Sequence, residues 1–170
     1  MYICPVKLEE AQDKFIQGWG QLGASWGINR TMAQIQAVLL VSPEALCTDD
    51  IMERLQISRG NANMNIRELI AWGVVYKSFK PGDRKEYYYA EKDMWDLAKK
   101  VARERKKREL EPLNRILGEL KTVEGNSNEV KEFKKVVKSA DAMAKRADSM
   151  LELVGKLDEN IFFKWMTKGK

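Results

Sequence analysis

Apolar residues recur at helical spacing along most of the chain, and the places where that rhythm changes mark the elements. From Lys7 to Trp26 the positions Leu8, Ala11, Phe15, Trp19, Leu22 and Trp26 lie three or four apart, which predicts one helix with a single buried stripe. Gly27-Ile28-Asn29-Arg30 breaks it. Asn29 or Thr31 can cap a second helix carrying Met32, Ile35, Val38 and Leu39, which stops ahead of Ser42-Pro43 because proline disfavours a helical residue before it. Thr48 is the expected cap of a short third helix. Asp49 and Asp50 put negative charge in its first turn, where it suits the helix dipole, and Ile51, Met52 and Leu55 face inward. After the tight turn Gln56-Ile57-Ser58, Ser58 caps a fourth helix that runs to Gly73, a residue suited to the left-handed position past a helix end.

The rhythm then changes. Val74, Val75, Tyr76 and Phe79, the turn-forming Pro81-Gly82-Asp83, and Lys85 to Tyr89 predict a two-stranded hairpin. Beyond it the stretch from Glu91 to Leu120 reads as helix interrupted only by Pro112. At about 1.5 Å per residue it extends about 45 Å, more than a small domain can cover. Gly125-Asn126-Ser127-Asn128 precedes a last helix whose apolar seam is Val130, Phe133, Val137, Ala140, Ala144, Ala147, Leu151, Val154 and Ile161. Asp158 takes one seam position, and Val136, Met143, Met150 and Leu157 widen the stripe. A monomer has little to bury such a stripe against. The first helix and the two C-terminal helices therefore predict a dimerisation layer; an intramolecular antiparallel hairpin is the alternative, and such a hairpin could itself pair within a dimer. The fold class expected is mainly α with a small β-hairpin wing. A winged helix-turn-helix at 31–90 stands between dimerisation helices at 1–30 and 91–170.

Composition narrows the chemistry. With 170 residues, 44% hydrophobic and 32% charged, the chain is globular, with one core and an extension. No apolar run approaches the length of about 20 residues that spans a bilayer, and the first residues do not form an export signal, so a cytoplasmic protein without a membrane partner is expected. Cys4 and Cys47 are the only cysteines and form neither a disulfide framework nor a metal-ligand pair. Histidine is absent, which removes Ser/His/Asp and Cys/His catalysis and most zinc sites. No enzyme, cofactor or metal is expected. The net charge of +5 favours an anionic partner, and its distribution must say which.

In the fourth helix Ala62, Ile66, Leu69 and Ile70 form the core stripe, which sends Arg59, Gly60, Asn63, Met64 and Arg67 to the opposite side. A helix-turn-helix presents this end of its second helix to the major groove of double-stranded DNA, where Arg bonds guanine bidentately and Asn does the same with adenine. Arg59, Asn61, Asn63, Asn65 and Arg67 have that chemistry, with Ser58, Gly60 and Met64 beside them. Three asparagines within five residues are poor helix formers, so helix stability does not explain them. A solvated polar face, with Asn61 helping to cap the helix, is the plainer alternative. The hairpin adds Lys77, Lys80, Arg84 and Lys85, with Asp83 able to fix the loop and Arg84 able to enter a narrow minor groove. Lys99, Lys100, Arg103, Arg105, Lys106, Lys107 and Arg108, against Glu104, form a basic run that is either a solvated face or a further phosphate contact.

The segments Ile57-Ser58-Arg59-Gly60-Asn61, Asn65, Arg67-Glu68-Leu69, Trp72-Gly73-Val74-Val75 and Pro81-Gly82-Asp83-Arg84-Lys85 with Tyr88 resemble the GbsR-type branch of the MarR-like winged helix-turn-helix transcriptional regulators. Asn29-Arg30-Thr31, Ser42-Pro43-Glu44 and Glu104-Arg105 fit the same pattern, so the resemblance covers about residues 7 to 120. It implies a homodimer on a pseudo-palindromic operator, usually a repressor. Some relatives respond to choline, and by that resemblance a quaternary ammonium compound is a candidate effector. Trp19, Trp26 and Trp95 could cage such a group, although tryptophan at this spacing also suits a core stripe. Two other functions compete: a winged-helix protein-interaction module in a larger assembly, and a thiol-based redox-sensing regulator using Cys4 or Cys47.

Overall fold

The computed structural model describes residues 6–156, and the chain divides into two compact units, one ending at Met94 and one beginning at Trp95. Cys4, and Leu157, Asp158 and Ile161 of the expected seam, lie outside the described residues.

The first unit is built around its second helix. Helix α1 (Leu8–Ser25) packs along α2 (Arg30–Val41), which is buried at Met32, Ala33, Ile35, Gln36, Ala37, Val38 and Leu39. Asn29, not Thr31, caps α2: its Oδ1 accepts the Met32 N–H at 3.1 Å. The face that α1 buries differs from the expected one. Ile16, Gly20 and Gly23 point inward, while Leu8, Phe15, Leu22 and Trp26 are exposed. The reason is distance. A methyl added at Gly23 would stand 2.6 Å from the Ala33 Cβ, so the two helices meet through small residues too closely for a row of large ones to fit between them.

Strand β1 (Leu46–Cys47) leads directly into α3 (Thr48–Leu55), and this corrects the expected cap. Cys47 is held extended by pairing with Tyr87, so the helix starts at Thr48, and the Asp50 carboxylate accepts the Cys47 N–H at 2.8 Å. Helix α4 (Arg59–Ala71) follows a turn in which Gln56 adopts a left-handed conformation, φ 53°. Ser58 caps α4 by accepting the Asn61 N–H at 3.3 Å, and Gly73, φ 69°, ends it in the left-handed region that glycine enters without a Cβ clash. Strands β2 (Val75–Phe79) and β3 (Glu86–Ala90) form the hairpin, in register from Val75 opposite Ala90 to Phe79 opposite Glu86. With β1 they make a small antiparallel sheet in the order β1-β3-β2. Ile51, Ile66, Leu69, Val74 and Val75 are almost completely buried.

The second unit is an antiparallel helical hairpin. Helix α5 (Met94–Arg105) begins later than Glu91, whose N–H is bonded to the Val74 carbonyl at 3.0 Å as an extension of the sheet. A π turn (Lys106–Leu110) joins α5 to α6 (Glu111–Leu120). It falls just ahead of Pro112, whose ring cannot tolerate the normal carbonyl four residues earlier, and the wider turn makes room. Helix α7 (Asn128–Lys156) returns along α6, with Leu117, Val137 and Ala144 buried between Leu120 and Ala140. Ion pairs fasten the same seam: Lys121 to Asp141 at 2.6 Å, and Lys106 to Asp148 at 3.1 Å and Glu152 at 2.5 Å. The intramolecular hairpin thus forms. Phe133, Val136, Met143, Met150 and Leu153 of α7 stay exposed on this chain.

Candidate nucleic-acid interface

The N-terminal turns of α3 and α4 and the β2–β3 hairpin surround a groove of about 410 Å³, with Thr48, Asp49, Arg59, Asn63, Lys85 and Glu86 among its walls. The geometry follows from local chemistry. The Ser58 cap sets where α4 begins, the left-handed Gln56 turns it against α3, and the stripe Ala62, Ile66 and Leu69 anchors it to the core. Arg59, Gly60, Met64 and Arg67 are exposed on the opposite side, and Asn63 is half-buried at the groove wall.

The three asparagines separate into different roles. Asn65 is 3% exposed, and its Nδ2 donates to the Asn61 carbonyl at 2.8 Å and to Asn61 Oδ1 at 2.7 Å. It therefore cannot serve as a base-reading side chain, because it belongs to the packed side of α4, three residues from Ala62 and four from Leu69. Asn61 is half-buried and accepts from Asn65. Asn63 alone opens to the groove, its Oδ1 accepting from the Thr48 hydroxyl at 3.4 Å. Ser58 is exposed, with its hydroxyl oxygen engaged in the cap.

The cations form a network with interleaved carboxylates. Asp49 pairs with Arg59 through one oxygen and with Lys85 at 3.4 Å through the other. The hydrogen bond from Arg59, then that from Lys85, holds the Asp49 carboxyl below its ordinary value. Lys77 pairs with Glu86 at 2.7 Å, and Tyr88 donates its hydroxyl to the other Glu86 oxygen at 2.7 Å. At the hairpin tip Asp83 accepts the Lys85 N–H at 2.9 Å and the Tyr87 hydroxyl at 2.6 Å, which pushes the Tyr87 pKa up to about 12. Gly82, φ 82°, supplies the left-handed turn. Lys80 lies 4.4 Å from the Tyr87 ring centroid and 3.8 Å from Glu44. Arg67 and Arg84 are exposed and make no ion pair among the described residues.

Thr48, Asp49, Glu86 and Tyr88 were not singled out as site residues by sequence reasoning. The acids follow from helix-dipole and strand chemistry, so their charge had a local explanation, and only the fold brings them against α4. The basic run of the second unit is also partly matched. Asp96 takes Lys99 and Lys100, Glu104 takes Arg108, Glu109 takes Arg105, and Asp148 and Glu152 take Lys106.

The tryptophans do not form one site within either unit. Trp19 packs against the cluster of Ile16, Ala37 and Val38, stacks on Phe15 at 5.4 Å and donates its indole N–H to Gln36 at 3.2 Å. Trp26 is 58% exposed at the end of α1, and Trp95 starts the second unit. Cys47 is buried. Among the described residues no helix is long and apolar enough to cross a membrane, and no group of three or more His, Cys, Asp or Glu side chains could hold a metal ion.

No family profile matches the chain. Over 88 residues it is 28% identical to the HTH-type transcriptional repressor GbsR of Bacillus subtilis strain 168, a match covering 52% of this chain and 48% of that protein. The chain thus matches about half the length of this relative. Its fold resembles the crystal structure of a transcriptional regulator, with a TM-score of 0.64 and 17% identity over 86% of this chain and 97% of that one. The chain is a mostly helical protein with a small three-stranded antiparallel sheet, a fold it shares with that structure.

Proposed function

We propose that the protein is a sequence-specific, homodimeric DNA-binding transcriptional regulator of the GbsR-like kind, acting as a repressor in the cytoplasm. Helix α4 enters the major groove and the hairpin reaches the adjacent minor groove. The observation that carries this is the exposed N-terminal face of α4. Arg59, Asn63 and Arg67 offer base-reading chemistry there, around a glycine that internal packing does not require. A Cβ at Gly60 would meet nothing within 4 Å, yet glycine at a helical position costs about 0.5–1 kcal/mol relative to alanine. A phosphate backbone approaching closely gives that position a purpose. Lys77 and Lys85 line the groove beside α4, and Lys80 and Arg84 add positive charge to the same hairpin. The similarity to the GbsR repressor supports the same reading.

Two-fold pairing places two such helices on successive major-groove faces. Its support is the apolar surface left over. On α1 these residues are Leu8, Phe15 and Leu22, spaced by seven; on α7 they are Val136, Met143 and Met150, also spaced by seven. In this reading residues 31–90 bind DNA, and 1–30 and 91–170 pair the protomers.

Gel shifts on genomic fragments test the proposal, with the bound fragments then sequenced. Binding should be specific and should weaken steeply between 50 and 200 mM salt, by about a thousandfold for about six phosphate contacts. Lack of salt-sensitive binding to any fragment would overturn it. Light scattering should give a dimer at micromolar concentration, and a monomer would remove the basis for half-site pairing.

A further inference from the structure

We propose that the first turn of α3 sets the base preference of α4, with Asp49 positioning the Arg59 guanidinium and Thr48 positioning the Asn63 amide. The inference rests on the DNA-binding reading and adds two residues to it. Asp49 is well placed for the task. It occupies the second helical position of α3, two residues after Cys47, which the pairing with Tyr87 holds in place. Its two oxygens face cations from two other elements, Arg59 at the start of α4 and Lys85 at the hairpin. Arg59 is 61% exposed and, without this contact, would lose rotamer freedom on meeting a base. One Nη2 contact to Asp49 leaves the remaining guanidinium donors for the two acceptors on the guanine edge.

Thr48 acts on the neighbouring side chain. Its hydroxyl donates to Asn63 Oδ1, which turns the Nδ2 donors away from α3 and toward a purine acceptor. Both contacts lie at the groove wall, and Thr48 also hydrogen-bonds the Tyr88 side chain there. The Asp49 side chain is 46% exposed, and both residues line the groove. Two consecutive residues of one helix thus hold two of the three base-reading side chains of the next.

A simpler role would be charge balance alone, and the two roles predict opposite signs. Removing a negative charge beside the phosphates strengthens binding to every sequence. Releasing Arg59 weakens binding only where guanine is read. The probes are a duplex enriched from a randomised pool by the wild-type chain and a scrambled duplex of the same length. Asp49→Asn should bind the enriched duplex about five- to tenfold more weakly, a fraction of the loss expected for a whole bidentate contact, and the scrambled one equally or more tightly. Selection with Asp49→Asn should relax preference at one base pair per half-site. Combining Asp49→Asn with Arg59→Ala should weaken binding to the enriched duplex no further than Arg59→Ala alone, and Arg59→Lys, which keeps charge without the fork, should show the same relaxed position. Thr48→Val should relax a different position. A uniform gain on both duplexes, with the selected sequence unchanged, would overturn this proposal alone. Failure of the wild-type chain to enrich any sequence would overturn the DNA-binding reading together with it.

Discussion

Gly23 and Ala33 set how closely α1 approaches α2, and Gly23→Ala measures that approach. The added methyl would stand 2.6 Å from Ala33 Cβ, whereas carbon atoms pack at about 3.5–4.0 Å. The shortfall is about 1 Å, and neither atom can rotate away, because an alanine Cβ is tied to its backbone. A close-packed interior resists such a displacement, and overpacking costs about 1–3 kcal/mol. Alanine in place of glycine within a helix contributes about 1 kcal/mol in the other direction. A net loss of about 1 kcal/mol follows from these two terms.

Two other glycines calibrate it. At Gly20 the added methyl meets Gln34 Cγ at 2.6 Å, but Gln34 is long and half-buried and can swing, so Gly20→Ala should be close to neutral. At Gly60 nothing lies within 4 Å, so Gly60→Ala should gain up to about 1 kcal/mol in the free protein and lose DNA affinity. Urea unfolding should rank Gly60→Ala above Gly20→Ala and Gly20→Ala above Gly23→Ala. In a thermal scan each kcal/mol should move the midpoint by about 2–4 °C. Adding Ala33→Gly removes the opposed methyl and should rescue Gly23→Ala, with a coupling of about 1–2 kcal/mol. A Gly23→Ala protein as stable as Gly60→Ala, or one that Ala33→Gly fails to rescue, would refute the close helix contact. The inward face of α1 would then have to be reassigned from Ile16, Gly20 and Gly23.

Asn65→Ala should lower stability by about 1–3 kcal/mol, because the Asn61 acceptors lose their partner, while base preference in a selection stays unchanged. Tyr87 should ionise near 12 in an ultraviolet titration, above its ordinary 10.0, and Tyr87→Phe should delete that late step. The sign follows from both partners. The raised tyrosine value means that the Tyr87–Asp83 bond holds fully below about pH 10 and is lost as pH rises through about 12. The lowered Asp83 value, set first by the Tyr87 hydrogen bond, means that the bond also fades as pH falls below the usual carboxylate range. Gln56→Val should destabilise by about 1–2 kcal/mol in urea unfolding, since a β-branched residue fits the left-handed region poorly, whereas Gln56→Gly should be tolerated.

Punctuation residues made the winged unit legible from sequence. Ser58 and Gly73 bracket α4, and Pro81-Gly82-Asp83 marks the hairpin turn, because each has a local reason to be where it is. Features that depend on a distant partner were hidden. The face of α1 that packs on α2 is hidden because Leu8, Phe15 and Leu22 outweigh glycines in any hydrophobic pattern, although the glycines permit the close contact. Strand β1 has two residues and exists only through Tyr87 and Tyr88, so no periodicity could show it. Asn65 is a case where the position was readable and the chemistry concealed it. Residues 62, 65 and 69 keep the spacing of a buried stripe, but an asparagine there is recognised as core only once Asn61 supplies its acceptors.

The splitting of the asparagines sharpens the case for the groove. Asn65 is explained by burial and Asn61 by serving as its partner, so neither needs a ligand. What remains on α4 is a contiguous surface that folding does not explain. Gly60 has an ordinary backbone and open space around it; Met64 is an apolar side chain 61% exposed; Asn63 is a weak helix former held by a single long hydrogen bond. Arg59 and Arg67 flank them on the same side, and Lys77 and Lys85 of the hairpin share the groove. Any one of these is ordinary on a protein surface. Their concentration in the N-terminal half of one helix, once Asn61 and Asn65 are set aside, is what favours the proposed binding face over a solvated one. If α4 reads DNA as proposed, the Asp49 network would hold such a face in order before the duplex binds.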